Sequence, residues 1–256
     1  VAGFGHDPVG VQVASDLKNN GVDIEYAVRD GITKTGFSIV LIKDDGQRSF
    51  LVGSGEGNVD ISVDQVPLEL LEQTKAVSIG SLFFMKKLDG AGAAELFKRA
   101  RAKGVLTFAD MTADAYGIGP DGIAEIYPYT DYMMPSYEEA VYVTGENEPE
   151  KIADYFLERG VGTCVIKMGD KGCFLKSGDR SFSVAAYQVE AVDTTGCGDT
   201  FCGAFISAVL DGMELEDCVR YASAAGAINA MVPGAHNALE SAEQVRGFMD
   251  RYQGLQ

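Results

Sequence analysis

A glycine-rich turn followed by a carboxylate is the feature of this sequence best suited to chemistry. A short extended run, Tyr187–Val192, leads to Gly196-Cys197-Gly198 and Asp199, and apolar residues then recur at the spacing of one helix face: Phe201, Phe205, Ala208 and Val209. We expect this turn to open a helix, where glycines leave backbone N–H groups accessible and the helix dipole attracts anions. The same donors should favour the ionised form of Asp199, which could accept a proton. Donors for phosphate oxygens beside a basic carboxylate are typical of phosphoryl transfer to a hydroxyl.

The spacing alone leaves other interpretations of this turn open. Gly-x-Gly-Asp between a strand and a helix can also be a capped helix start without any catalytic role. Cys197 could act as a nucleophile, because a helix N-terminus lowers the pKa of a thiol. Neither histidine of the chain, His6 or His236, is adjacent to it in the sequence. We therefore expect Cys197 to have no chemical role of its own.

Composition excludes several classes of protein. The 256 residues include 21 basic and 38 acidic side chains, for a formal net charge of -17. Such an acidic surface disfavours nucleic acids and anionic membranes as partners. The cysteines are five in number and form no C-x-x-C, so we expect neither a disulfide framework nor a structural zinc site. No apolar run reaches the ~18 residues of a membrane helix, and no signal-peptide pattern is present, which indicates a cytoplasmic protein.

Strand-like and helical patterns alternate along most of the chain. Runs of β-branched and aromatic residues predict strands at Phe37–Ile42, Ala76–Ile79, Val105–Phe108, Asp131–Met134 and Thr163–Ile166. Periodic apolar residues predict helices at about 8–22, 64–74, 89–103, 136–144 and 149–159, and three more helices after Asp193. This alternation predicts a mostly parallel sheet covered by helices on both faces. Turns at Asp30-Gly31 and Asp45-Gly46 instead predict a small antiparallel flap within residues 24–57.

The segment around Asp199 resembles a known family signature. Residues 193–205 read Asp-Thr-Thr-Gly-Cys-Gly-Asp-Thr-Phe-Cys-Gly-Ala-Phe, similar to the Asp-Thr-x-Gly-Ala-Gly-Asp-x-Phe-x-Gly signature of the ribokinase-like (PfkB) carbohydrate kinases. Cys197 stands where that family usually has Ala. Other segments resemble family motifs in the same order: Val1–Gly10 ("G-x-V-G-x-D-x-x-G"), Met134–Ala140 ("P-N-x-x-E"), Val165–Gly172 ("V-T-x-G-x-x-G") and Pro233–Ala235 ("G-A"). The resemblance covers nearly the whole chain.

This resemblance implies a fold and an activity. The fold would be a ribokinase-like three-layer α/β/α domain over residues 1–256, with a mostly parallel central sheet and a small β lid at about 24–57. The activity would be the ATP-dependent phosphorylation of a small carbohydrate with Mg²⁺. A nucleoside kinase of the same family, or a catalytically silent nucleotide or sugar sensor, remains an alternative. The resemblance also allows a homodimer formed through the lid.

The matched motifs also imply residue roles. Asp199 would be the general base on the sugar hydroxyl, beside an anion hole of backbone N–H groups from Gly196, Cys197 and Gly198. Glu139 would help to hold Mg²⁺ through water. The other implied ligands contact the nucleotide or a monovalent cation such as K⁺: Lys167, Gly169 and Gly172 at the ATP phosphates and ribose, Asn229 and Gly234 near the adenine, and Asp193 with the Thr195 carbonyl at the cation.

Departures from the family pattern concern mainly the sugar site. The family begins with a strand that carries a substrate-binding Asp and continues to a Gly-Gly…Asn segment, so we expect an N-terminal strand and helix to be missing here. Ser136 replaces the usual Asn of the Mg²⁺ segment, and Lys167 replaces a usual Thr and could add positive charge near the phosphates. Asp110-Met111-Thr112 stands where many sugar kinases have Asp-x-Asn-x-Arg. The sequence therefore does not identify the acceptor sugar.

Overall fold

The structure, a computed structural model, describes residues 1–29, 34–42, 48–52, 60–236 and 238–253. The α-helices in these ranges are α1 (Pro8–Asn19), α2 (Ala91–Ala102), α3 (Tyr137–Thr144), α4 (Pro149–Glu158), α5 (Cys197–Leu210), α6 (Leu215–Ala230) and α7 (Ala242–Gln253). The strands are β1 (Ser38–Ile42), β2 (Arg48–Val52), β3 (Ala76–Leu82), β4 (Leu106–Met111), β5 (Tyr132–Met133), β6 (Thr163–Lys167), β7 (Cys173–Ser177) and β8 (Arg180–Val184). None of the helices in the described ranges is long and apolar enough to span a membrane.

The central sheet contains six strands in the order β3-β4-β5-β6-β7-β8. β3 to β6 run parallel, and β7 and β8 add an antiparallel hairpin at one edge. The register pairs Ala109 with Met133 and Met133 with Cys164, so the carboxyl ends of β4, β5 and β6 lie side by side. The expectation of a mostly parallel α/β sheet is confirmed.

Helices cover both faces of this sheet, because strand residues alternate between two apolar cores. In β6, Cys164 and Ile166 pack in the core that includes Phe97 of α2 and Phe156 of α4. Val165, between them, packs in the opposite core with residues of α5, α6 and α7 such as Phe205. Parallel strands buried on both faces require this apolar alternation. The molecule therefore has three layers, with the sheet in the middle.

A separate two-stranded antiparallel sheet lies outside the central sheet. β1 pairs with β2 so that Ile39 is opposite Leu51, which confirms the small antiparallel flap. Asp7 attaches the root of this flap to α1, because its carboxylate caps the helix at the Gly10 N–H (2.8 Å) and also accepts the Thr35 N–H (2.6 Å). The predicted turns at Asp30-Gly31 and Asp45-Gly46 lie outside the described residues.

Some predicted elements differ from the structure. The helix predicted at 64–74 is wrong: two short 3-10 segments, Val63–Gln65 and Leu68–Glu72, stand there instead. Pro67 separates them, because proline has no N–H to donate and disfavours a helical residue before it. The 3-10 segment Pro120–Tyr129 and the β7–β8 hairpin were not predicted. Tyr187–Val192 belongs to none of the described strands.

The start of α5 depends on a glycine in a left-handed conformation. Gly196 is the N-cap residue, with φ 74° and ψ 0°. A Cβ at this position would lie 2.0 Å from the carbonyl oxygen of Ala235, far inside contact distance. Side chains larger than hydrogen are thus excluded both by the backbone angle and by the neighbouring segment. The expected turn into a helix exists, although none of the described strands precedes it directly, and Gly196 sets its geometry.

We predict that Gly196→Ala destabilises the protein, while Gly203→Ala does not. The left-handed angle alone costs an alanine about 1–2 kcal/mol, and the overlap with Ala235 must displace the backbone as well. Gly203 lies within the same helix, and a Cβ there would meet nothing within 4 Å, so alanine should gain up to about 1 kcal/mol of helix propensity. Thermal and urea unfolding of both variants measure the difference. Equal melting temperatures for the two would contradict this account of the helix start.

Candidate active site

The first turn of α5 presents backbone N–H groups that make no internal hydrogen bond. The N–H of Thr200 bonds to the Gly196 carbonyl at 2.8 Å, and the N–H of Cys197 approaches the Thr194 carbonyl at 3.3 Å. Among the described residues, the N–H groups of Gly198 and Asp199 have no such acceptor. These two donors lie at the positive end of the helix dipole and can bind an anion. Of the three residues expected in the anion hole, Gly198 fits this role best.

Asp199 occupies the third position of α5 and its side chain is exposed. Within the described part of the chain, no hydrogen bond or ion pair holds its carboxylate. The carboxylate therefore stands beside the free N–H groups and is open to a ligand. This placement agrees with that expected of a proton acceptor.

A cavity of about 280 Å³ lies against this turn. Lys167, Gly169 and Gly172, the residues expected at the ATP phosphates and ribose, contribute to one part of its wall, and Cys197 and Gly198 to another. The remaining wall was not predicted and consists mainly of small or apolar residues: Asp170, Ala186, Tyr187, Gln188, Val189, Ala191, Thr194, Phe201, Ser223, Gly226, Ala227 and Ala230. One signal for it exists in the sequence, the small-residue run Ala222–Ala227 on α6. Gly226 lies directly against the turn, since a Cβ there would be at ordinary contact distance, 3.4 Å, from the Cys197 carbonyl oxygen.

Asn229 and Gly234 do not line the cavity; they form hydrogen bonds with the turn that precedes α5. Asn229 is fully buried, and its Nδ2 donates to the Thr195 carbonyl at 2.9 Å. The Asp193 carboxylate accepts the N–H of Thr195 at 2.9 Å and that of Gly234 at 3.0 Å. These contacts join the segment before α5 to the segment after α6. Both residues are therefore close to the predicted site, but Asn229 bonds to the Thr195 carbonyl, Gly234 bonds to the Asp193 carboxylate, and neither lines the cavity.

Glu139 caps its own helix and also faces buried charges. Its carboxylate accepts the Ser136 N–H at 2.8 Å, and its own N–H approaches Ser136 Oγ at 3.4 Å, a reciprocal capping box at the start of α3. Burial raises the pKa of the Glu139 carboxyl, against the lowering effect of the Ser136 hydrogen bonds. Asp110 raises this pKa further, whereas Lys167 lowers it. Ser136, in place of the family's Asn, thus supports Glu139 directly.

Lys167 and Asp110 form a buried ion pair at the carboxyl ends of β6 and β4. Cys202 of α5 joins the pair, with its Sγ 3.2 Å from Asp110 Oδ2 and 3.4 Å from Lys167 Nζ. Because Cys202 lies one turn after Asp199, the ion pair is directly beneath the first turn of α5. The sequence indicated Lys167 as a phosphate contact but did not predict its pairing with Asp110.

The structure thus brings most of the predicted residues to one end of the sheet. Asp199, Gly198, Lys167, Gly169 and Gly172 surround or adjoin one cavity. An exposed carboxylate, unused N–H donors and a buried ammonium are the groups that phosphoryl transfer to a hydroxyl needs.

Comparisons with known proteins agree with this chemistry. The model of the pfkB family carbohydrate kinases matches residues 1–242. Ribokinase of Schizosaccharomyces pombe is 29% identical over 253 residues, covering 95% of this chain and 76% of that protein. Ribokinase of Arabidopsis thaliana, solved with ribose and ATP, superimposes with a TM-score of 0.79 at 25% identity, over 97% of this chain and 80% of that one.

A third relative comes from Escherichia coli. This ribokinase homologue, solved with ATP and Mg²⁺, has a TM-score of 0.85 at 25% identity and covers 98% of this chain and 82% of its own. The two structural likenesses extend over the three layers described above and confirm a ribokinase-like fold. The family match spans nearly all of the sequence, including the turn at Gly196 and the carboxylate of Asp199. The chain therefore belongs to the pfkB family of carbohydrate kinases.

Proposed function

We propose that this kinase transfers the terminal phosphoryl group of ATP to a hydroxyl of a small carbohydrate, with Asp199 as the general base. The observation that carries the proposal is the start of α5, where Asp199 is exposed beside two unused N–H donors. Asp199 accepts the proton of the attacking sugar hydroxyl. The oxygen of that hydroxyl bonds to the terminal phosphorus of ATP while the bond between this phosphorus and the leaving ADP breaks. The N–H groups of Gly198 and Asp199 stabilise the charge that spreads over the transferring oxygens.

The cavity beside the turn is the proposed nucleotide site. The phosphates lie toward Lys167 and Gly169, because an ammonium and a backbone N–H bind phosphate oxygens. Gly172, whose own N–H donates to the Gly169 carbonyl at 3.0 Å, forms the adjoining part of the wall. The adenine lies against the apolar part of the wall, which Gly226 and Ala227 of α6 provide. Asn229 and Gly234 contribute indirectly by holding the turn.

Glu139 is the proposed Mg²⁺ residue. One carboxylate oxygen, Oε2, accepts the Ser136 N–H, and the other makes no hydrogen bond with the described residues. The described residues contain no group of three or more potential metal-ligating side chains, so the ion would be held chiefly by water and phosphate oxygens. Mg²⁺ bound there neutralises phosphate charge during transfer.

Residues 24–57 are the proposed lid of a single kinase domain, 1–256. The structure describes residues 24–29, 34–42 and 48–52 of this segment, which include the β1–β2 sheet, and Asp7 holds the segment at Thr35. A lid over the acceptor excludes water from the reacting groups and so prevents hydrolysis of ATP.

Asp193 and the Thr195 carbonyl are the proposed ligands of a monovalent cation such as K⁺. Asp193 is 7% exposed, and its carboxylate lies within the turn that leads to the anion donors. A third oxygen supports the site: Asn229 Oδ1 is buried and has no hydrogen-bond partner among the described residues, while its Nδ2 contacts Thr195. A cation there would order the turn that carries Gly198.

The exposed face of the β1–β2 sheet is the proposed homodimer interface. Four large apolar side chains at this sheet are half-exposed. Ile39 and Leu41 lie on β1, Leu51 lies on β2, and Phe37 directly precedes β1. An isolated two-stranded sheet is marginal in water, and a second copy of the same sheet would cover this face.

We propose the cytoplasm as the place of this reaction, because ATP is available there. The thiols of Cys164, Cys173, Cys202 and Cys218 are free, as a reducing compartment maintains them.

Asp199→Asn should abolish most turnover without weakening ATP binding. Loss of a general base typically lowers the rate by ~10²–10⁴-fold, equivalent to roughly 3–5 kcal/mol of transition-state stabilisation. Asn is similar in size, and the anion donors are backbone groups that remain in place. Turnover is measured over a panel of sugars and nucleosides, and nucleotide affinity by calorimetry.

Asp211→Asn is the matched control, since it removes the same charge at the other end of α5 and should retain full turnover. An Asp199→Asn protein with more than about a tenth of wild-type turnover would remove Asp199 from the mechanism. A wild-type protein that binds ATP but phosphorylates no member of the panel would indicate a sensor.

K⁺ should raise turnover relative to a buffer that contains only tetramethylammonium. The cation orders the turn before Gly198, so the effect should appear mainly in kcat. Both buffers are compared at matched ionic strength and saturating Mg²⁺. Equal rates in the two buffers would contradict the cation site.

Ile39→Lys should convert the protein from a dimer to a monomer. The charge would be buried unpaired in the centre of the proposed interface. Light scattering after size exclusion measures the mass, and Val22→Lys, which changes an exposed valine outside the β1–β2 sheet, serves as the control. A monomeric wild type, or a dimeric Ile39→Lys protein, would refute the interface.

A further inference from the structure

Asp110 has the properties of a residue that positions another group. Its side chain is almost fully buried, and it bonds Lys167 Nζ and Cys202 Sγ through Oδ2 while Oδ1 accepts the Met111 N–H at 2.8 Å. Both carboxylate oxygens are therefore occupied by protein groups. Asp110 is 6% exposed and does not line the nucleotide cavity, so it acts on a ligand there through Lys167, which does.

The ion pair joins β4 to β6 across the short strand β5, which lies between them in the sheet. Asp110 lies near the end of β4 and Lys167 at the end of β6, while β5 between them contributes only Tyr132 and Met133 to the sheet. Lys167 is also fixed at its backbone, since its N–H donates to the Pro135 carbonyl at 2.9 Å. The remaining freedom of Lys167 is in its four-carbon side chain, and Asp110 holds the end of that chain.

The ammonium of Lys167 lies next to the proposed phosphate donors. A Cβ built on Gly198 would be 3.6 Å from Nζ, and Lys167 forms part of the wall of the nucleotide cavity. Burial alone would lower the pKa of Lys167, but Asp110, Cys202 and Glu139 together raise it, so the ammonium stays charged. Positive charge is thereby kept at the point where the anion donors converge.

We propose that Asp110 is a positioning residue that holds the Lys167 ammonium against the terminal phosphate of bound ATP. The inference rests on the proposed function, because it needs ATP in this cavity. Lysine side chains have high rotamer entropy, so an unanchored ammonium would spend less time at the phosphate. Buried ion pairs are often neutral in stability compared with apolar pairs, so a gain in stability does not by itself account for this one.

The test is the affinity of AMP, ADP and an unreactive ATP analogue for wild type and variants. Asp110→Asn should weaken the ATP analogue about tenfold, the loss expected for one charge-assisted hydrogen bond, and leave AMP unchanged. A purely structural role would weaken all three nucleotides alike. Equal losses for AMP and the ATP analogue, or a higher KM for the sugar alone, would overturn the proposal.

Lys176→Met is the matched control. Lys176 has the same exposed side-chain fraction as Lys167, 14%, and is also ion-paired, but its partners Glu150 and Asp154 on α4 are half-exposed and lie outside the nucleotide cavity. Its substitution should leave the ratio of ATP-analogue to AMP affinity unchanged. A similar change of that ratio in this variant would show that any lost buried lysine produces the effect.

If Asp110→Asn does not fold, a double variant that removes both charges of the ion pair provides the test. Asp110→Asn/Lys167→Met should show the same ratio of ATP-analogue to AMP affinity as Lys167→Met alone, because Asp110 acts only through Lys167. A lower ratio in the double variant would overturn the proposal. A wild-type protein that fails to bind ATP would instead refute the proposed function.

Discussion

The N-terminus of α5 remains available to a ligand because other segments satisfy the turn before it. Asp193 accepts the N–H groups of Thr195 and Gly234, and Asn229 donates to the Thr195 carbonyl. Gly196 permits the backbone to pass directly against Ala235. These contacts use the polar groups of the turn and of its neighbours, and none uses the N–H of Gly198 or Asp199. Buried backbone groups must be paired, so donors left unpaired at the edge of a cavity are suited to a ligand.

Positive potential confined to the cavity allows this acidic protein to bind an anion. The formal net charge of -17 would repel a nucleoside triphosphate at long range. At the cavity, however, the helix dipole and the Lys167 ammonium supply positive potential at short range. Asp110 keeps that ammonium in place, and burial beneath α5 protects the pair from screening by salt. Binding of an anion thus depends on the arrangement of a few groups and not on overall charge.

Much of the architecture could be predicted from local patterns. The strands β4 and β6 appear as apolar runs because both of their faces are buried, and α5 appears as an apolar stripe after a glycine turn. The helix predicted at 64–74 from apolar periodicity is wrong, because Pro67 has no N–H to donate and so interrupts the helical hydrogen bonds. The β7–β8 hairpin has exposed residues on β8 and therefore lacks the continuous apolar run of a buried strand.

The sequence by itself determined the family, the alternation of strands and helices over most of the chain, and a proposed catalytic segment whose parts are adjacent in the chain. The relative positions of Gly196, Gly198 and Asp199 depend on local backbone geometry, so their spacing is sufficient to predict their arrangement. The place of Asn229 was not predictable in this way, because which face of α6 turns inward depends on packing against α5. Asp110 and Lys167 are 57 residues apart, and neither position alone indicates a partner. Only the parallel sheet decided that pairing, because it brings the carboxyl ends of β4 and β6 to one edge, where burial beneath α5 makes an unpaired charge too costly.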